Sequence, residues 1–323
     1  MNRTIFLKTA FAGLFATGCL LAQPPAFKIP DDIVFRKANI ISEGTRMSAE
    51  VYAPKNAAAD QKLPVVLMAH GWGGTAAALR REAMAFAQAG YFVTTFDYRG
   101  WGDSDSRVIL TAPAPKEKKD GKFTAEVREV REVVDPIDFA TDWLNAVHWL
   151  AGEPQADMNK LGLWGSSFSG GLVLYVAERD ARVKAFHSQV GAMDGRVTNG
   201  DAKEIARGFQ EATAYARGEK QYPAPGVREV GNLRGAPVRS KMIVYAPVDE
   251  VDRAPNCAMQ FIIAEKEELF DNKDHALKAY ARHKGPKNLI TVPNITHYGI
   301  YTEARLQAQA AAIAWFDKYL KGK

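Results

Sequence analysis

Cysteine is nearly absent: Cys19 and Cys257 are the two in 323 residues. Cys19 sits in an N-terminal segment expected to be removed, which leaves Cys257 alone. No intramolecular disulfide is then available, and Cys257 is expected to pack in the core. Long apolar runs are also lacking after residue 22, where no segment approaches the ~20 apolar residues of a membrane span. Charge of one sign is scarce too, since Lys and Arg number 42 against 37 Asp and Glu. So small an excess gives no support to a nucleic-acid partner or to an anionic membrane. The densest basic run, KEKKDGK at 116–122, contains Glu117 and Asp120 and reads as a solvated loop. H-E-x-x-H and paired-cysteine spacings do not occur, nor does a dinucleotide-binding glycine fingerprint, so neither a metal nor another cofactor is expected.

What is present is a chain 47% hydrophobic and 24% charged, a balance that excludes disorder, collagen and coiled coil and provides for a substantial core. At the N-terminus Arg3 and Lys8 are followed by an apolar stretch over 9–22 and a polar, proline-containing junction. This resembles a secretory signal peptide, with cleavage expected near Ala22 and a mature domain over 23–323 in a secreted or periplasmic location. The run ATGC at 16–19 also resembles a bacterial lipobox, the alternative in which Cys19 carries a lipid anchor. Apolar Leu20 and Leu21 suit a continuing hydrophobic region better.

Residues 33–52 hold two β-rich runs separated by Glu43, Gly44 and Thr45, the pattern of an antiparallel hairpin. Short apolar strands then alternate with helical segments. Strands are predicted at 63–70, 91–98, 160–165, 183–189, 259–264 and 288–292, and helices near 76–89, 135–151, 169–179, 273–283 and 302–320. Such alternation predicts an α/β fold, a mostly parallel sheet with helices on both faces and the antiparallel hairpin at one edge. Catalytic groups are then expected at strand C-terminal ends. The alternation breaks over about 192–258, which reads as a cap inserted over the sheet; its Phe209, Tyr215 and Tyr222 are either pocket walls or core.

The strongest motif is GLWGSSFSGG at 162–171, where an apolar strand runs through small residues straight into a helix. Gly165 and Ser169 flank Ser167 at the two positions that a tight strand-to-helix turn requires to be small. Ser169 is a rival nucleophile, flanked similarly by Ser167 and Gly171, but the strand ends at Trp164 and Gly165 and its phase favours Ser167. HGWGG at 70–74 follows the first parallel strand, and His70 is expected to brace that loop by hydrogen bonds. NITHYGIY at 294–301 places His297 between the last strand and the final helix. In DYRGWGDS at 97–104, Arg99 and Asp103 are expected to pair, with Trp101 a candidate pocket wall. His148, His275 and His283 fall on predicted helices and His187 in a strand, places where structural histidines are common.

Together these motifs resemble the α/β-hydrolase superfamily over nearly the whole mature chain, and within it the dienelactone-hydrolase-like and Xaa-Pro dipeptidyl peptidase-like serine esterases. The resemblance implies a catalytic triad with Ser167 as nucleophile, His297 as base and an acid after the penultimate strand. Glu267 has the offset of the aspartate in the G-x-x-D-x-x-hydrophobic pattern, with Ala264 in place of the glycine and glutamate in place of aspartate. Glu268, Glu265 and Asp194 are the alternatives. An oxyanion hole is implied at the backbone amides of Trp72 and Phe168. The expected activity is hydrolysis of a small ester or acyl substrate, with acyl transfer, thioester hydrolysis and Xaa-Pro peptidase activity as rivals on the same triad. A non-catalytic binding protein on the same fold is the reading of another class.

Overall fold

The computed structural model describes residues 27–198 and 202–323. The predicted leader at 1–22, with Cys19, lies outside them. Eight strands form the main sheet: β1 (Ile33–Ser42), β2 (Thr45–Pro54), β3 (Leu63–Ala69), β4 (Phe92–Phe96), β5 (Ala156–Ser166), β6 (Val183–Gln189), β7 (Ala258–Ala264) and β8 (Lys287–Val292). Their spatial order is β1-β2-β4-β3-β5-β6-β7-β8. β2 is antiparallel to both β1 and β4, and the pairs from β4 onward are parallel. The hairpin joining β1 to β2 turns through Glu43 and Gly44, both at positive φ (48° and 78°), the two-residue geometry that matches the twist of paired strands.

Among the described residues, the six α-helices longer than four residues are α1 (Arg80–Gln88), α2 (Pro136–Leu150), α3 (Phe168–Ala177), α4 (Ala202–Ala216), α5 (Ala276–Arg282) and α6 (Arg305–Phe316). β3, and β5 from Leu161 to Gly165, are apolar almost without alternation because both of their faces are covered. On one face Phe86 of α1 and Phe316 of α6 pack with Val66, Met68 and Trp164. On the other, Phe139 and Trp143 of α2 and Leu172 of α3 pack with Leu67 and Leu163, and Cys257 is buried there as a free thiol. Gly162 lets the C-terminal segment pack closely on β5, since a Cβ there would sit 2.9 Å from both Phe316 and Leu320. α2 starts at a built N-cap, with the Asp135 carboxylate accepting from Ile137 N and Asp138 N and proline in the first turn.

Strand order reverses direction at β3, whose neighbours are β4 on one side and β5 on the other. A crevice opens at the carboxyl ends of strands flanking such a reversal. The loops after β3 and β5 therefore meet there. Residues 192–258, between β6 and β7, carry α4, a four-residue helix Arg239–Met242 and a two-residue strand Ala236–Pro237 paired with Val133–Val134. α4 exposes Phe209, and Tyr215 stacks on Tyr222 at 5.1 Å.

The final helix expected near 302–320 runs over Arg305–Phe316 and continues without a break through a π turn, Asp317–Lys321, after a 3-10 turn His297–Tyr301. Three details differ from the sequence reading. A two-stranded ribbon, Arg107–Leu110 with Val127–Val130, was not foreseen, because its side chains are mostly exposed and show no alternation. The charged run 116–122 lies exposed in the loop that joins its strands. Arg99 does not pair with Asp103. It is buried against Asp142 on α2, which also accepts from Ser42 Oγ at 2.6 Å, while Asp103 faces Lys37 at 3.4 Å in solvent. Trp101 is core, 1% exposed, with its Nε1 donating to Val133 O.

The Arg99–Asp142 pair leads to a stability prediction, since removing one partner strands a buried charge. Asp142→Ala is expected to cost about 3–5 kcal/mol in urea unfolding, and adding Arg99→Met to recover a large part of it. A single-variant loss below about 1 kcal/mol would show the pair to be dispensable.

Candidate active site

The turn from β5 into α3 holds Ser167 at φ 56°, ψ −124°, a conformation that costs a non-glycine residue about 1–3 kcal/mol. Three backbone bonds hold it there: Ser167 N donates to Gln189 O (2.9 Å), and Ser167 O accepts from Gly170 N (2.9 Å) and Ala192 N (3.1 Å). Strand and helix approach so closely that a Cβ on Gly165 would lie 2.3 Å from Ser169 O, and one on Gly171 1.9 Å from Ala192 O. The small residues read from the sequence are thus steric requirements. Ser169, the rival nucleophile, is fully buried on α3 with its Oγ 3.2 Å from Tyr98 Oη.

Ser167 Oγ lies 3.0 Å from His297 Nε2. On the far side of the ring, Nδ1 is 2.9 Å from each Glu267 oxygen, and both side chains are about 2% exposed. The structure therefore brings Ser167, His297 and Glu267 together in one hydrogen-bonded line. The alternative acids are engaged elsewhere. Glu268 accepts from the backbone N of His297 at 2.6 Å, Glu265 from Asn294 N at 2.7 Å, and Asp194 pairs with Arg196 at 2.7 Å. Glu267 and Glu268 grip the same histidine, one at its ring and one at its main chain. Phe270 packs edge-on to that ring at 5.7 Å.

Phe168 is the first residue of α3, so its N–H has no carbonyl partner within the helix and stands at the positive end of the helix dipole. The loop after β3 lies against this turn, where a Cβ on Gly71 would come within 3.0 Å of Ser167 Cβ. Trp72 follows, its ring edge-on to Phe168 at 5.7 Å and its Nε1 donating to Gly235 O at 3.2 Å. His70 braces this loop as expected, with Nδ1 2.9 Å from Gly71 O, and burial lowers its pKa to about 4. A neutral imidazole is consistent with its Nε2 standing 3.9 Å from Asp97 Oδ1 without a hydrogen bond.

Two cavities meet at Ser167. The larger, about 610 Å³, is lined by His297, Tyr298 and Tyr301 on one wall, by Arg80, Arg81 and Glu82 on another, and by Ser166 and Gln189. The smaller, about 100 Å³, is mostly apolar, bounded by Phe168, Ala192, Met242, Tyr245, Leu269 and Phe270. Pro237, Met242 and Tyr245 come from the 192–258 segment; Phe209, Tyr215 and Tyr222 line neither cavity. Sequence reading gave no role to Ser166, Gln189 or Tyr301, and offered Glu268 only as an alternative to Glu267 as the acid. The available signals were adjacency to Ser167 for Ser166 and a four-residue offset from His297 for Tyr301. Gln189 and its neighbour His187 are buried polar groups on β6, with His187 Nδ1 2.7 Å from Gln260 Oε1 and its pKa lowered to about 4 by burial.

Comparison with known proteins agrees with this architecture. Residues 43–226 match the family described as X-Pro dipeptidyl-peptidase (S15 family), and residues 138–323 match the prolyl oligopeptidase family. An uncharacterized 31.7 kDa protein of the traX-finO intergenic region of Escherichia coli is 26% identical over 287 residues, covering 80% of this chain and 92% of that protein. The quorum-quenching protein AidA of Acinetobacter baumannii is 33% identical over 156 residues, covering 48% of this chain and 43% of that protein. The crystal structure of hypothetical protein PA2218 from Pseudomonas aeruginosa superposes with a TM-score of 0.72 at 18% identity, over 91% of this chain and 96% of that one.

Buried histidines, among them His70 and His187, set a pH dependence. His70 and His187 take up a proton near pH 6.5 when unfolded but near pH 4 when folded, so their contribution to stability is full above about pH 6.5 and is lost as pH falls toward 4. Replacing His187 with Gln removes one of these protons. Between pH 6 and 4.5 the unfolding free energy of the variant is expected to fall less steeply than that of wild type, by about 1.4 kcal/mol per pH unit at most. Parallel curves in urea titrations would contradict this.

Proposed function

Because the chain belongs to the α/β-hydrolases of the X-Pro dipeptidyl-peptidase (S15) and prolyl oligopeptidase families and is a serine hydrolase, we propose that it cleaves short-acyl carboxylic esters through an acyl-enzyme on Ser167. His297 Nε2 takes the Ser167 proton as Oγ attacks the carbonyl carbon, and Glu267 holds the ring and stabilises the imidazolium. The amides of Trp72 and Phe168 receive the charge that develops on the carbonyl oxygen; such donors are worth about 10²- to 10³-fold each. His297 then protonates the leaving oxygen, and water repeats the sequence to release the acid.

The observation that carries the short-acyl reading is the small apolar cavity beside Ser167. His297 lines the larger cavity and not the smaller. A leaving group must depart toward the imidazolium that protonates it, so the larger cavity takes the alcohol and the smaller takes the acyl chain. An apolar cavity of ~150 Å³ holds a benzene molecule. At about 100 Å³, this one limits the acyl group to fewer atoms than a benzoyl.

Charge supports an ester over a peptide with a free amino terminus. Arg80, Arg81 and Arg305 line the larger cavity; Arg80 pairs with the buried Glu50 and Arg305 with Glu82 at 3.2 Å, which leaves an excess of one positive charge. Asp194 at the smaller cavity is paired with Arg196. An incoming ammonium would meet excess positive charge.

The test is kcat/KM on p-nitrophenyl esters from acetate to decanoate, with fluorophosphonate labelling and peptide mapping. Expected are labelling at Ser167, a maximum at two to four acyl carbons, and a fall of about 10-fold or more by eight. Ser167→Ala is expected to lower kcat by at least about 10⁴-fold. Faster turnover of an Xaa-Pro amide than of any ester would favour the peptidase, and dominant acyl transfer to an added alcohol the transferase.

A further inference from the structure

A second hydrogen-bonded line of side chains reaches the nucleophile from the floor of the larger cavity. The Tyr301 hydroxyl lies 2.8 Å from Ser166 Oγ, and Gln189 Nε2 donates to that same Oγ at 3.1 Å. Gln189 Oε1 in turn faces His187 at 3.4 Å. Ser166 is 2% and Gln189 5% exposed, so the anchor of this line is built into the sheet. Tyr301 is oriented against the usual habit of tyrosine, which keeps its hydroxyl wet and its ring dry. The residue as a whole is 41% exposed, while its hydroxyl is bonded to the buried Ser166.

Counting hydrogens shows what this arrangement leaves over. An amide nitrogen only donates, so Ser166 Oγ accepts from Gln189. Ser166 and Tyr301 have two hydroxyl hydrogens between them, and the bond joining them uses one. If Tyr301 gave its hydrogen to Ser166, the hydrogen left over would be that of a buried serine. If Ser166 gives its own, the one left over belongs to Tyr301; both residues line the cavity, but Tyr301 is 41% exposed and Ser166 2%. The second arrangement leaves the spare donor on the more open residue, which is the cheaper state. Burial pushes the Tyr301 pKa up to about 12, against the pull of the hydrogen bond to Ser166, so the phenol keeps its proton at neutral pH. Tyr301 and His297 belong to the same 3-10 turn, His297–Tyr301, with ring centroids 6.3 Å apart.

Resting on the proposed acyl transfer at Ser167, we propose that Tyr301 is a further catalytic residue, donating a hydrogen bond from its O–H to the leaving-group oxygen of the bound ester, with Ser166 and Gln189 as positioning residues. In acylation, Ser167 Oγ bonds to the carbonyl carbon and its proton passes to His297 Nε2. The bond from that carbon to the alcohol oxygen then breaks, its electron pair staying on the oxygen, and the His297 Nε2 proton completes the alcohol. Tyr301 transfers no proton; its hydrogen bond carries part of the charge on the departing oxygen. Such help matters for esters of aliphatic alcohols, whose alkoxides leave poorly, and little for activated phenyl esters. The substrate class is therefore a short-acyl ester of an aliphatic alcohol.

The experiment compares kcat/KM, which reports acylation, for ethyl acetate and p-nitrophenyl acetate in wild type, Tyr301→Phe and Ser166→Ala. Tyr301→Phe is expected to lose about 10- to 100-fold on ethyl acetate, the weight of a hydrogen bond to a charged oxygen, and less than about 3-fold on p-nitrophenyl acetate. Ser166→Ala is expected to show the same bias with a smaller loss. Equal losses on both esters would assign Tyr301 a structural role and overturn the proposal, as would no loss on either. Fluorophosphonate labelling of the same proteins separates the two levels. If wild-type Ser167 is not labelled, the acyl-transfer reading itself fails; if it is labelled and Tyr301→Phe shows no leaving-group bias, only the role of Tyr301 fails.

Discussion

Every part of the site depends on one backbone constraint, the positive φ at Ser167 between β5 and α3. An isolated chain would relax such a residue. Here the sheet and helix prevent it, because Ser167 N is tied to β6 through Gln189 O, and Ser167 O is tied to α3 through Gly170 and to the loop after β6 through Ala192. The turn has three consequences. It lifts Ser167 Oγ to His297, it leaves the Phe168 amide at an open helix start, and it sets Ser166 on the opposite side, against Tyr301 and Gln189. Strain at functional sites persists when the surroundings over-determine it, and three hydrogen bonds to a single residue do so.

Much of this was legible in the sequence, for a reason particular to close packing. Gly165 stands where any Cβ would strike a backbone oxygen, so the small residue two positions before Ser167 records the geometry of the turn directly. Strand phase likewise separated Ser167 from Ser169, because one residue more carries the side chain into the core. Glu267 was a weaker inference. Glu265, Glu267 and Glu268 lie within four residues, and which of them meets the His297 ring depends on how the loop after β7 folds against Asn294 and the His297 amide.

What the sequence concealed was long-range pairing. Arg99 finds Asp142 rather than the nearby Asp103 because α2 brings a buried carboxylate to it from 43 positions away, whereas Asp103 faces solvent. Trp101, an attractive pocket wall in a glycine-rich loop, instead closes the core against Val133. Phe209, Tyr215 and Tyr222 of the 192–258 segment looked equally suggestive, yet its cavity walls include Val230, Leu233, Pro237, Met242 and Tyr245 instead. Tyr301 was hidden differently, since its partners Ser166 and Gln189 reside on two separate strands.

The central claim is that Ser167 divides its substrate, with the acyl group on the Phe168 side, the alcohol on the His297 side and the carbonyl oxygen at two amides. A crystal structure of the protein after reaction with ethyl p-nitrophenyl methylphosphonate tests all three placements at once. The account predicts phosphorus on Ser167 Oγ, the phosphoryl oxygen about 2.7–3.1 Å from the amide nitrogens of Trp72 and Phe168, the methyl in the smaller cavity and the ethoxy group in the larger one. Phosphorus on another residue, or a phosphoryl oxygen directed away from both amides, would contradict it.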